Sequence, residues 1–333
     1  MGPSALLRTL SRKLSDKRQS NSTIIPWPPA QSPLDRWLTS ELDALRRFPE
    51  PRATATWLSK SLDLAIASQS MALRTIQFAA SSSFPMDRGA IGRYLDDVVD
   101  LLDACSSVPL RAEGIRTQIS SIATAIHRLD CFAGPPVDRA IAELSAFTVG
   151  AELDRCISVL RLAGEREAGS NSDVASDIQT ELREALDGPR ALAFLVMGAV
   201  VAAMSSKPRR RVLFSPREGK AGSWTGGLYD IQKEVKEEFD RRRKEGSTGL
   251  MIMEELRLTA AAALTSKELV RAWSSSEGTR WVGEQMMREA VEELRRRNEE
   301  LKERVAVLEA KVGELYRQLV AIRMFLLGLL SES

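Results

Sequence analysis

From residue 291 to residue 329 an apolar side chain recurs at alternating steps of three and four, so the segment is a long helix with one apolar seam. The a positions are Val291, Asn298, Val305, Val312, Leu319 and Leu326; the d positions are Leu294, Leu301, Leu308, Leu315, Ile322 and Leu329. Valine at a, leucine at d and one asparagine at a is the pattern of a parallel two-stranded coil. The flanks cooperate only in part. In a parallel pair Arg304 would face Glu309 favourably, whereas Arg297 would face Lys302 and repel it. Past residue 319 the apolar face widens through Val320, Met324, Phe325, Leu327 and Leu330, more than two helices cover. The seam Val291, Leu294, Asn298, Leu301, Val305, Leu308, Val312 and Leu315 is therefore expected to pair helices. Two partners fit it: a second copy of the chain, or helices of its own bundle.

The rest of the chain is also helical in pattern, with strand signals nearly absent. Ser32-Pro33 reads as cap and first residue of a helix whose face is Leu34, Trp37, Leu38, Leu42 and Leu45. Further helices are predicted at about 53–80, 87–106, 111–130, 137–163, 173–186 and onward from Gly188-Pro189. The expected fold is all-α: an antiparallel helical bundle followed by a long C-terminal helix with coiled-coil heptads. The expected divisions are a basic flexible N-terminal segment (1–31), a bundle (32–206, with an apolar segment at 190–206) and a basic linker (207–227). Charged helices follow (228–333), ending in a coiled-coil-like helix at 280–331. Hydrophobic residues make up 44 % of the chain, enough for a sizeable core.

Residues 191–206 carry no charge. At about 1.5 Å per residue they span roughly 24 Å, short of the ~30 Å of a bilayer's hydrocarbon. Burial in a bundle explains the segment, and a short membrane span or shallow membrane contact are the alternatives. Lys207, Arg209, Arg210 and Arg211 follow at once and suit an anionic membrane surface on the cytosolic side. Leu6, Leu7, Leu10 and Leu14 among basic residues and serines suit a transit peptide, a membrane-surface helix or a solvated tail.

Chemistry has little material to work with. There is one histidine, His127, which sits between Ile126 and Leu129 and is expected to be a boundary residue of that helix, not a ligand. Cys105, Cys131 and Cys156 are odd in number and widely spaced, as reduced thiols are. Net charge is +2, with no bulk basicity for nucleic acid, and no cofactor is expected. The runs Arg241-Arg242-Arg243-Lys244 and Arg295-Arg296-Arg297 lie among glutamates and read as solvated faces. One catalytic pattern remains. Asp96-Asp97-Val98-Val99-Asp100 matches the D-D-x-x-D with which isoprenoid synthases hold magnesium and diphosphate, and Asp173, Asp177 and Glu181 repeat the helical spacing. The same aspartates also fit the wet face of an amphipathic helix.

The stretches Trp57-Leu58, Tyr94-Leu95-Asp96 leading to Leu101-Leu102-Asp103-Ala104-Cys105, and 191–204 closing on Ser205-Ser206-Lys207 resemble the plant BYPASS family over about 34–211. D-D-x-x-D is not part of that family's pattern. The resemblance implies a non-enzymatic developmental regulator. Such proteins restrain a root-derived mobile signal that inhibits shoot growth, and are often predicted to be membrane-associated. It carries over no catalytic residues. Expected partners are proteins bound through helices, copies of the chain included, and an anionic membrane surface. The expected location is the cytosolic side of an endomembrane, with chloroplast or soluble cytosol as alternatives. A magnesium-dependent isoprenoid-type enzyme using Asp96, Asp97 and Asp100, or a single-span membrane protein with a dimerising helix, are the competing functions.

Overall fold

Ser32 and Pro33 open the first helix as their residue types dictate. In the computed structural model, Ser32 Oγ accepts from the Asp35 amide at 3.0 Å, and Pro33 sits where a missing N–H costs nothing. The structure describes residues 32–81, 88–130, 139–140, 142, 144, 177–205, 223–245, 252–275 and 280–332. Among them the chain is helical apart from caps and the turn at 48–54, with no strand. The helices are α1 (Pro33–Arg47), α2 (Ala55–Ser81), α3 (Arg88–Asp130), α4 (Asp177–Ala203), α5 (Trp224–Glu245), α6 (Glu254–Ser275) and α7 (Arg280–Glu332). The segments 1–31 and 207–222, and most of the predicted helix 137–163, lie outside the described residues.

Two predicted breaks are absent. The helices expected at 87–106 and 111–130 are one helix of 43 residues, and Pro109 lies inside it. An interior proline removes one helical hydrogen bond, at a cost of about 3 kcal/mol. The buried series Val98, Leu101, Cys105, Val108, Ala112, Ile115 and Ile119 continues across it without a change of face. Pro109 itself is exposed, so its ring disturbs only the solvent side. Likewise Asp187-Gly188-Pro189 does not end a helix, because α4 runs through it. Gly188 is there for close approach: a Cβ would come within 2.8 Å of Leu38 and 3.3 Å of the Trp224 ring.

Named contacts set the helix directions. Asp97–Arg190 and Cys105–Met197 run α3 and α4 parallel, while Gln69–Pro189, with Ala53 and Ala203 both bonded at residues 253–254, sets α2 antiparallel to α4. Arg116–Glu309 and Arg295–Asp130 lay α7 antiparallel along α3. Thr259–Arg297 and Ser266–Ala290 lay α6 back along the start of α7. At 53 residues α7 is about 80 Å long, enough to span two cores. The larger gathers α1 to α5 around the far part of α7; the smaller joins the end of α3 to α6 and the beginning of α7.

Among the described residues, helices α1 to α4 consequently share one core with α5 and α7. Helix α5 starts at Trp224, inside the predicted linker. Asp35 caps it: its carboxylate accepts from Ser223 Oγ at 3.0 Å and from the Trp224 amide at 3.3 Å. Arg46 and Arg52 then hold α5 through Asp230 and Glu234 at 2.7 Å each.

Candidate functional site

The seam lies inside the molecule. Leu301, Val305, Leu308, Val312 and Leu315 belong to the larger core, and Val291 and Leu294 to the smaller. All are buried by other helices of the same chain. Asn298, the odd residue of the a positions, donates from Nδ2 to the Ile119 carbonyl of α3 at 3.1 Å. The flanking charges are also engaged. Glu309 pairs with Arg116 of α3, Arg297 with Glu293 and Glu300, and Lys302 with Glu299. The partner of the heptads is thus the chain's own α2, α3 and α6.

The acidic motif is divided between inside and outside. Asp96 is exposed and Asp100 half-buried, while Asp97 points inward to Arg190 at 2.7 Å, both side chains buried. Beside the pair, Tyr94 donates to Gln69 Oε1 at 2.7 Å, and Gln69 Nε2 donates to the Pro189 carbonyl at 3.0 Å. Burial pushes the Tyr94 hydroxyl up and the Arg190 guanidinium down, the latter against the pull of Asp97. Among the described residues no three histidine, cysteine, aspartate or glutamate side chains converge. Asp173 lies outside those residues, and His127 is exposed on α3. Cys105 is buried against Met197, its thiol pushed up to about 12 by loss of water.

These polar residues pin α4. Its segment Leu186–Ala203 has the length and composition of a membrane span, yet 94 % of it is buried inside the bundle. Arg111 donates from Nε to the carbonyl of Met204 just past its last turn, and the Met253 amide donates to that of Ala203 at 3.3 Å. Both carbonyls lack an in-helix donor, so each contact satisfies a group that would otherwise be buried unpaired. Lys207, Arg209, Arg210 and Arg211 follow this junction and lie outside the described residues.

Glu255 closes the same junction. Its two carboxylate oxygens accept from the Ala55 amide, the first of α2, at 2.9 and 3.1 Å. Burial raises its pKa, with the Ala55 hydrogen bond opposing. The folded state therefore holds this proton more tightly than the unfolded chain. Its contribution to stability is complete in acid and falls as pH rises from the ordinary value of 4.5 through the raised one. Glu255→Gln keeps an acceptor for Ala55 and is expected to remove that slope, as denaturant midpoints measured from pH 4.5 to neutrality would record.

One arginine run is solvated at Arg241 and Lys244 but not throughout. Arg242 is buried and bridges Glu238 at 2.6 Å to Glu254 across the α5–α6 corner. Sequence reading missed Gln69, Arg111, Arg190 and Glu255. A signal existed for two of them, since Gln69 and Arg111 occupy the apolar register of α2 and α3, where a polar residue implies a buried partner.

No curated protein and no solved structure matches the chain. The family match covers the part of the chain holding α4 to α7, whereas the motifs quoted for the BYPASS resemblance lie mostly before it. Residues 175–330 match the family described as Protein ROH1-like, a BYPASS-related family of plants.

Proposed function

We propose that this chain is a non-enzymatic regulatory protein of plants that restrains a root-derived mobile signal controlling shoot and root development. It works by contact with protein partners, peripheral to an anionic membrane on the cytosolic side. The observation that carries this reading is the match of residues 175–330 to a BYPASS-related family. The packing supports the peripheral arrangement: pulling α4 into a bilayer would strip the larger core of its central helix and leave Arg190 and Asp97 without each other. Burial of the Asp97 carboxylate against a guanidinium also weighs against magnesium chemistry at Asp96, Asp97 and Asp100.

Grafting tests the reading in whole plants. A rootstock lacking the protein is expected to slow growth of a wild-type shoot, and carbonate extraction to release the protein from membranes. Normal shoots on such rootstocks contradict the regulatory role; retention through carbonate contradicts peripheral attachment.

A further inference from the structure

The end of the bundle where α2 and α7 finish differs in chemistry from the rest of the molecule. Along its first half α7 alternates charges that neutralise each other, as in Arg295–Glu292 and Arg296–Glu293. Residues 315–331 instead carry Arg317 and Arg323, with no acid before the final helical residue, Glu332. Residues 64–81 of α2 hold Arg74 as their single charge.

The two stretches lie at one level. The Asp63–Lys311 ion pair sets their register. The same number of residues further along each parallel helix, roughly 22 Å, stand Phe78 on α2 and Leu326 on α7. The beginning of α3 reaches this end too, since running back from Arg116 to Arg93 covers the same length as running on from Glu309 to Glu332. It adds Arg88 and Arg93, which stand between Asp87 and Asp96 in the sequence. Helix α4, whose first turns carry acids, packs on the same two helices, α2 and α3.

At this end large apolar side chains face water: Phe78 is 75 % exposed, Met324 65 % and Leu327 42 %. Val320, Met324 and Leu327 follow at helical spacing on the outer face of α7, away from the buried Leu319, Ile322 and Leu326. Arg74, Arg88, Arg93 and Arg317 of the same three helices are exposed, and Arg323 half-exposed. Exposed apolar side chains and exposed arginines on the same helices suit a surface with negative headgroups over hydrocarbon.

We propose that this tip, centred on Phe78, Met324 and Leu327, is the part of the protein that docks on an anionic lipid bilayer. The proposal rests on the membrane reading above and moves the contact to helices of the folded core. Phosphate groups take the arginines while the apolar side chains enter the boundary below them. At about 1 kcal/mol per basic residue near the surface, each arginine neutralised is expected to weaken binding on the order of fivefold.

Flotation of the full chain with phosphatidylcholine vesicles, with and without phosphatidylserine, tests it. Wild-type protein is expected to float only with phosphatidylserine. Phe78→Ser/Met324→Ser/Leu327→Ser and Arg74→Gln/Arg317→Gln/Arg323→Gln are expected to stay at the bottom with unchanged melting temperatures. Flotation of both variants like wild type, with loss in Lys207→Gln/Arg209→Gln/Arg210→Gln/Arg211→Gln, overturns the tip and leaves the membrane reading intact. Wild-type protein that ignores vesicles overturns both. If it instead forms dimers that the triple serine variant lacks, the patch belongs to a second copy, and the proposal is overturned.

Discussion

Arg190→Leu is expected to cost about 3–5 kcal/mol, because it strands the Asp97 carboxylate in the larger core without its cation. Desolvating a charge is expensive wherever it sits, and the 2.7 Å contact is what offsets that expense in the native state. The double variant Arg190→Leu/Asp97→Leu is expected to recover most of the loss, since an apolar pair leaves nothing uncompensated. Denaturant unfolding of the two variants measures the difference. Equal destabilisation would mean that the pair matters for its shape and not for its charge. The site is sensitive for a further reason: Tyr94, Gln69 and the Pro189 carbonyl adjoin it, so one loss disturbs three helices.

Leu308→Ala is expected to destabilise the fold by about 2–5 kcal/mol, the usual cost of a cavity at a fully buried leucine. Leu308 is wholly buried in the larger core, in the seam that α7 turns to the rest of its own chain. The lowered melting temperature should be the same at every protein concentration. A loss that shrinks as concentration rises would place the leucine between two copies instead.

Much of this fold was legible in the sequence because helix periodicity is a local property. The heptads, the Ser32-Pro33 start and the apolar faces of α1 to α3 follow from spacing alone. The breaks at Pro109 and Pro189 were misread because propensity is weak against tertiary packing. Each proline lies in a helix with buried residues on both sides of it, Val108 and Ala112 around one, Leu186 and Ala191 around the other. The identity of the seam's partner was not legible either. Valine at a and leucine at d describe a surface that wants a helix, and say nothing about which chain supplies it. Asn298 looked like a register device for a dimer and is one for α3, through the Ile119 carbonyl. Of the acidic motif, spacing placed Asp96 and Asp100 on one face. The destination of Asp97 depended on Arg190, distant in sequence and invisible to any local pattern.

That the heptad seam of α7 is filled by the chain itself is most directly tested by light scattering of the full-length protein over micromolar concentrations. A constant mass of 36.8 kDa is the expected result. A mass of twice that value, falling back to the monomer when Leu301 and Leu308 are replaced by alanine, would contradict it.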